Sequence, residues 1–417
     1  MTADDAQTLD CLRRFLDEVH LARPDDLPEV AAHAAADLGW TLRLYVVDHE
    51  QSCLVPLPAP SVPDAEPVAI DGTLAGRAFR RVQQVPVPGG ELSVWVPLLD
   101  GVHRLGVLQY GLPKGTDLED AVVQDRLRLL SHLVGHLVVG KSGYGDAFDL
   151  AARRRHRTVP TELLHGLLPP LTFGCPGLLV SGILEPCYDV AADAFDYSVV
   201  DGVAHLAVVD AMGHDLHGTL VAAVALSAYR NGRREGLPLS AVLQRIDDVI
   251  ADEWEQRAFA TGVLAELDLT SGRLRYVNAG HPAPLLMRRG KVVKQLTGGR
   301  RIVLGLGDGR IDVAEEWLEP DDWAVFYTDG ITEARDATGA FYGLERLTDQ
   351  LERSAAAGEP APETLRQVVH AVMRHQGDRL QDDATLLVAQ WASGREREMT
   401  VGQAPPSCPT RAAAPAW

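Results

Sequence analysis

No stretch of this 417-residue chain is apolar for long enough to cross a bilayer. Its most apolar run, Thr219 to Leu226, falls far short of the ~20 residues that a membrane helix requires. Positive charge is also scarce: 39 Lys and Arg stand against 58 Asp and Glu, leaving −19. An excess of that sign repels phosphate backbones and anionic lipid, which argues against nucleic-acid and membrane partners. Cysteine is sparse and odd in number, the five being Cys11, Cys53, Cys175, Cys187 and Cys408. No two fall at CxxC or other metal-ligand spacing, and none opens a Cys-x5-Arg loop, which excludes a zinc knuckle and a cysteine-phosphatase route. The first residues, Met1-Thr2-Ala3-Asp4-Asp5, are acidic where a leader peptide would be basic. A reduced, cytoplasmic setting is therefore expected. Repeats of solenoid or propeller period are missing too.

The composition that remains is ordinary and globular, and the length exceeds what one core organises, so two domains are expected. Apolar residues recur at helical spacing from Cys11 to Leu38, interrupted by Pro24 and Pro28. Trp40 to Asp48 reads as a strand, and Leu92 to Leu98 with Arg104 to Tyr110 as two strands around a tight turn at Asp100-Gly101. From Leu118 to Val139 the spacing of Val122, Leu127, Leu130, Leu133 and Leu137 predicts an amphipathic helix. Gly140-Lys-Ser-Gly-Tyr-Gly145 punctuates it and marks a domain boundary. Ala147 to Leu167 reads as helical again, with Arg153, Arg154, Arg155 and Arg157 as a solvated basic face. Beyond Leu178 strands dominate, with helices at Gly218–Arg230, Pro238–Arg257 and Pro362–His375. The irregular alternation predicts an α+β layered domain on antiparallel sheets. After Trp391 the Ser/Gly/Arg/Glu and then Ala/Pro-rich chain reads as a disordered tail.

The acidic residues are placed most informatively between Asp193 and Asp210. Asp201-Gly202 is a strong two-residue hairpin signal, because a type I′ turn needs positive φ at both positions. Paired residue numbers then sum to 403, which sets Asp193 opposite Asp210. Two carboxylates directly opposed repel, and a divalent cation is the economical remedy, although a frayed strand end pointing both acids into water also relieves the repulsion. A second strand, Asp322 to Tyr327, runs into Asp329-Gly330, and a third begins at Asp382-Asp383 and ends at Trp391. If these are antiparallel neighbours, Asp329 and Asp382 meet at one rim. Oxygen donors without sulfur or a close histidine pair suit magnesium or manganese better than zinc.

At this point the segments resemble a known family. Asp193-Ala-Phe-Asp196, Val209-Asp-Ala-Met-Gly-His214, Asn278-Ala-Gly-His-Pro282, Tyr327-Thr-Asp-Gly-Ile-Thr-Glu333 and Asp382-Asp-Ala-Thr-Leu-Leu-Val388 stand in the order seen in SpoIIE/RsbU-type, type 2C-like protein serine/threonine phosphatases. Leu163-Leu-His-Gly-Leu-Leu-Pro-Pro170 resembles the lead-in to that domain. The resemblance implies a four-layer αββα sandwich with two Mn2+ or Mg2+ ions that activate a water for in-line attack on a phosphoserine or phosphothreonine. It implies Asp210 as the bridging ligand with the carbonyl of Ala211 beside it. Asp329 and Asp382 (or its neighbour Asp383) match ligands of the first ion, and Asp193 the second ion's side through water. Ala191-Ala192 stands where the family usually has Gly-Gly, and Asp215 where Gly usually follows, so the loop before Asp193 is expected to shift and Asp215 to add charge near the ions. His214 and His281 read as turn histidines rather than general acids, Asp196 as a strand-face residue and Asp383 as a turn or supporting residue.

The first half resembles a GAF domain more weakly, through Asp71-Gly-Thr-Leu-Ala-Gly-Arg-Ala-Phe79 and Val94-Trp-Val-Pro-Leu98 with Leu105-Gly-Val-Leu-Gln109. The expected layout is a GAF-like α/β sensory domain over 1–140, a helical linker over 141–170, the phosphatase domain over 171–392 and the tail over 393–417. A phosphorylated anti-sigma-factor antagonist as substrate, a small-molecule ligand for the first domain and a homodimer paired through the Leu118 to Leu167 helices complete the expectation. Two other readings use the same residues: a degenerate, non-catalytic sensor or scaffold, and an acid cluster that binds calcium for structure.

Overall fold

A computed structural model describes residues 3–185, 188, 192–213, 215–307, 311–377 and 382–400. The chain divides into two compact units, the first comprising 1–47, 53–152 and 395–417, the second 48–52 and 153–394. Among the described residues no helix is long and apolar enough to cross a membrane.

Unit 1 runs α1 (Ala3–Leu21), α2 (Leu27–Asp37), β1 (Thr41–Val47), β2 (Cys53–Pro56), β3 (Val68–Ala69), α3 (Leu74–Arg81), β4 (Val85–Val87), β5 (Ser93–Asp100), β6 (His103–Gly111), α4 (Ala121–Ser142) and α5 (Ala147–Ala152). Its strands form one antiparallel sheet in the order β3-β2-β1-β6-β5-β4. Tyr45, Leu54, Ile70, Phe79, Trp95 and Val107 pack as an apolar cluster around α3. Helix α1 begins earlier than the apolar spacing suggests, and Pro28 lies in the first turn of α2, where its missing N–H costs nothing. The β5–β6 turn falls on Gly101-Val102, because a register shift at Leu98/Leu99 displaces the pairing to Asp100 opposite His103. Asp120 caps α4 by accepting from the N–H groups of Val122 and Val123.

The single helix expected over Ala147 to Leu167 is in fact two short ones. After α5 the chain breaks, and α6 (Val159–His165) restarts where Thr158 caps the N–H of Thr161 and a proline occupies the first turn. The arginine run therefore lies in a connector, not on a helix face. There Arg153 donates to Glu162 at 2.7 Å, and the Arg155 guanidinium stacks over Tyr188 at 4.8 Å.

Unit 2 continues with β7 (Thr172–Cys175), β8 (Leu178–Glu185), β9 (Asp193–Val200), β10 (Val203–Ala211), α7 (Leu216–Arg234), α8 (Leu239–Trp254), β11 (Ala260–Asp268) and β12 (Arg273–Ala279). Then follow β13 (Leu285–Arg288), β14 (Lys291–Gln295), β15 (Arg300–Arg301), β16 (Ala314–Trp317), β17 (Trp323–Tyr327), α9 (Asp329–Thr332), α10 (Gly343–Ala356), α11 (Ala361–His375) and β18 (Ala384–Trp391). Two sheets result. One has the order β15-β12-β11-β10-β9 with β16 on β12, the other β14-β13-β17-β18-β8-β7.

The inner faces of these sheets meet in a core that includes Val180, Phe195, Leu206, Val208, Val263, Leu286, Phe326 and Leu387. Helices α7 and α8 cover the outer face of the first sheet through Val221, Leu226, Leu243, Ile246 and Ile250. Helices α10 and α11 stand on the second, with α11 packed on β8 and β18. The order is helix, sheet, sheet, helix: a four-layer α+β sandwich. Helices α9 and α10 are elements that apolar spacing alone did not indicate.

Two features aim the sandwich at its rim. The β9–β10 hairpin turns through Asp201 and Gly202, both at positive φ (49° and 77°), as the type I′ turn demands. Strand β9 is held to the helical layer by Asp196, which is 2% exposed and receives Arg230 and Arg233, each at 2.8 Å.

Candidate functional site

The two-residue turn fixes the register of the hairpin, with Val200 opposite Val203 and Asp193 opposite Asp210. Asp193 opens β9 and Asp210 comes one residue before the end of β10, so both acids sit at the end away from the turn. Ala211 closes β10 beside them and is buried. On the facing sheet β17 and β18 pair antiparallel, Tyr327 opposite Leu386. The pairing extends one step further, since the Thr328 N–H donates to the Thr385 carbonyl at 3.1 Å. That extension delivers Asp329, at the start of α9, and Asp382-Asp383, just before β18, to the same rim.

Electrostatics show that these acids share one environment. Burial first, then the carboxylates of Asp210 and Asp383, push the Asp193 pKa well above the usual carboxylate range, with a hydrogen bond from Thr328 pulling the other way. Burial and the carboxylates of Asp329, Asp382 and Asp383 push Asp210 up to about 8. Asp329 is raised by burial, Asp382 and Glu333. Glu333 was not singled out from the sequence, and its N–H bonds the Asp329 carbonyl at 2.6 Å.

Among the described residues no Lys or Arg pairs with Asp193, Asp210, Asp329 or Asp382. Nor do three acidic, histidine or cysteine side chains there already converge as a closed metal cage. Without a cationic side chain beside them, the carboxylates of Asp193 and Asp210 are left to repel one another. The donor set is all oxygen, hard and anionic, and it fits Mg2+ or Mn2+.

The acids are held by groups that the strand pattern did not reveal. The Thr328 hydroxyl donates to Asp193 Oδ2 at 2.7 Å, and the Thr385 N–H donates to Thr328 Oγ1 at 3.0 Å. Asp383, 2% exposed, accepts from the N–H groups of Ala192 and Asp193 on its Oδ2 at 2.5 and 3.1 Å. Its neighbour Asp382 is exposed and accepts the Asp383 N–H at 2.9 Å. The two consecutive acids thus have different surroundings: Asp382 is exposed and acts on Asp210 and Asp329, while Asp383 is buried, acts on Asp193 and Asp210, and holds the amides at the start of β9. The signal available beforehand was the β17/β18 register, which sets Thr328 opposite Thr385. A Cβ on Gly330 would lie 1.8 Å from the Asp383 carbonyl oxygen, so only glycine lets α9 approach this closely.

The remaining candidates separate cleanly. His281 is buried in the turn after β12, its N–H donating to Asn278 Oδ1 at 2.8 Å and its Nδ1 standing 2.7 Å from Thr261 Oγ1. Burial lowers its pKa to about 3, so the ring is neutral. Thr261 is the cross-strand partner of Asp210, which makes His281 a support of the strand beside the rim. Asp215 caps α7, accepting from His217 and Gly218, and is absent from the charges that act on Asp193, Asp210 and Asp329. The expected extra charge near the ions is thus spent on a helix terminus. Ala192 keeps an ordinary backbone and is bonded as described, while Ala191 and His214 lie outside the described residues, as do Cys187, Cys408 and residues 401–417 of the expected tail. Cys11, Cys53 and Cys175 are free thiols.

Comparison with known proteins was informative for this half of the chain. Residues 201–392 match the model of the family described as stage II sporulation protein E (SpoIIE). The phosphoserine phosphatase RsbU of Bacillus subtilis is 23% identical over 211 residues, 50% of this chain and 62% of that protein. The phosphoserine phosphatase RsbP of the same organism is 22% identical over 209 residues, 48% of this chain and 49% of its own length. The chain thus spans less than two thirds of either relative. Among solved structures, the RsbU and RsbW domains of a Mycobacterium tuberculosis protein align with TM-score 0.47 at 24% identity, covering 52% of this chain and 62% of that one.

Proposed function

We propose, on the premise that residues 201–392 form a SpoIIE-type phosphatase domain, that this chain hydrolyses phosphoserine or phosphothreonine on a regulatory protein with the help of bound Mn2+ or Mg2+. One observation carries the reading. Asp193 and Asp210 from one sheet and Asp329 and Asp382 from the other arrive at a single rim, with no basic side chain among the described residues to neutralise them. Divalent ions bound there would supply Lewis acidity and charge neutralisation for the phosphoryl group.

The chain's own residues divide the work. Asp210 stands between Asp193 on its own sheet and Asp329 with Asp382 on the facing one, the position that suits a shared ligand, with the Ala211 carbonyl next to it. Asp329 and Asp382 would hold a divalent ion from the facing sheet, and Asp193, tied down by Thr328, would support one from its own sheet. The neutral, buried His281 is unsuited to donating a proton, so departure of the serine or threonine oxygen relies on solvent and on charge neutralisation at the rim.

The names of RsbU and RsbP as phosphoserine phosphatases support a phosphoserine protein as substrate, and the resemblance favours an anti-sigma-factor antagonist. Unit 1 is then a GAF-like regulatory domain that takes a small molecule, in a cytoplasmic homodimer.

The test is release of inorganic phosphate from a phosphoserine protein and from p-nitrophenyl phosphate, with Mn2+ and with chelator. Manganese-dependent turnover that disappears in Asp210→Asn is the expected result. Binding of Mn2+ without turnover would replace the reading with a scaffold, and turnover indifferent to chelator would overturn it.

A further inference from the structure

We propose that Asp383 is a positioning residue: it grips the backbone amides of Ala192 and Asp193 at the start of β9 and, together with Thr328, sets the Asp193 carboxylate at the rim, while Asp382, the exposed member of the consecutive pair, is the one that meets a cation. The inference rests on the metal-site reading above for its consequence, but not for its geometry.

Strand β9 lies at the edge of its sheet, with β10 as its only partner there among the described residues. Its first residue, Asp193, faces Asp210 directly. An edge strand that begins on a carboxylate opposed to another carboxylate should fray, because separating the ends relieves the repulsion. The facing sheet opposes that separation at three points. Asp383 Oδ2 receives the Ala192 N–H at 2.5 Å and the Asp193 N–H at 3.1 Å, and Thr328 Oγ1 donates to Asp193 Oδ2 at 2.7 Å. Thr328 is fixed in turn by the Thr385 N–H at 3.0 Å. All of these groups are buried.

The arrangement has a further logic in the chain order. Thr328 directly precedes Asp329, and Asp383 directly follows Asp382. Each acid that the second sheet offers to the rim is thus one peptide bond away from a group that holds the first sheet's acid. Asp383 Oδ2 already accepts two N–H donors, which is the capacity of a carboxylate oxygen's two lone pairs. These two bonds fix the direction of the side chain through one of its two oxygens, the kind of hold that sets a neighbouring ligand in place.

The experiment compares full-length wild type with Asp383→Ala, Asp383→Asn and Asp382→Asn. Two readouts are taken: amide hydrogen exchange across residues 192–196 in metal-free protein, and Mn2+ binding by calorimetry. An asparagine keeps an acceptor oxygen for both amides but loses the charge that a ligand needs. Asp383→Ala should speed exchange at the start of β9 and weaken Mn2+ binding by about tenfold or more. Asp383→Asn should restore both, whereas Asp382→Asn should keep the exchange protection and lose a Mn2+ site. If Asp383→Asn loses Mn2+ as severely as Asp382→Asn, Asp383 is a ligand and the proposal fails; unchanged exchange in Asp383→Ala also defeats it. Should Asp383→Ala fail to fold, Thr328→Val against Thr328→Ser tests the same restraint, with faster exchange expected in the valine variant only. The exchange readout needs neither metal nor turnover, so absence of phosphatase activity would leave it standing.

Discussion

The hydroxyl of Thr328 donates to Asp193 Oδ2 at 2.7 Å, joining two sheets through residues 135 positions apart in the chain. Within its own sheet the same hydroxyl accepts the Thr385 N–H at 3.0 Å, so it ties one sheet to the other. The rim is therefore not the property of one hairpin but of the way two sheets face each other.

Asp210→Asn and Asp329→Asn should each cut manganese-dependent phosphate release by roughly a hundredfold or more, since a lost ligand costs at least what a lost supporting group does. Initial rates against Mn2+ concentration measure it. Rates restored by excess Mn2+ would show that the side chain supports binding weakly and is not a ligand.

The metal-free protein should lose stability as pH rises. Asp210 keeps its proton to about 8 in the folded state, whereas in an unfolded chain it ionises near pH ~4. Between those values the folded state binds the extra proton, so unfolding releases it and is favoured by higher pH. The full contribution is present below the unfolded value and is gone above the folded one. Thermal melts in chelator from roughly pH 5 to 8 should therefore fall more steeply in wild type than in Asp210→Asn. Added Mn2+ should raise Tm most at the alkaline end, because its ligands must be ionised. A parallel pH profile for wild type and variant would contradict the shift.

Gly330→Ala should damage stability and site together. The added Cβ meets the Asp383 carbonyl oxygen at 1.8 Å, which is backbone and cannot swing aside. A cost of about 1–3 kcal/mol is expected for such overpacking, read from urea melts, with weaker Mn2+ binding because Asp329 and Asp383 both move. Equal stability with intact Mn2+ binding would mean that the α9 approach is looser than described.

Asp196→Ala should destabilise without touching the rim. It strips Arg230 and Arg233 of a shared carboxylate that is almost fully buried. Breaking a buried pair from one side costs about 3–5 kcal/mol; the partial exposure of Arg230 places this case at the lower end. Chemical denaturation measures it, and the calorimetric number of Mn2+ sites should stay at the wild-type value.

What the sequence made legible, and what it concealed, divides by the range of the interaction. The Asp193–Asp210 pairing was readable because a two-residue turn leaves no freedom in register, and Asp201-Gly202 has few other conformations open to it. The meeting of Asp329 with Asp382 was readable once β17 and β18 were taken as neighbours. The Asp383 grip was not, because it joins residues 190 and 191 positions apart through a surface where the sheets face, and no periodicity encodes facing. Apolar spacing does not mark helix α10, and it runs continuously from Ala147 to Leu167 although Thr158 with Pro160 forms an ordinary helix start inside that stretch. Of the arginines between, Arg153 is tied to Glu162 and Arg155 stacks on Tyr188, local contacts that a count of charge does not reveal.

The hairpin that carries Asp193 and Asp210 has one further consequence. Its exposed tip at Asp201-Gly202 lies eight residues along each strand from the acids, roughly 25 Å away at the usual rise of an extended chain. New chain ends, an epitope or a dye attached at that tip would leave the carboxylates undisturbed. The fold thus offers a handle for tethering or watching the protein at the far end of the very hairpin that carries both acids.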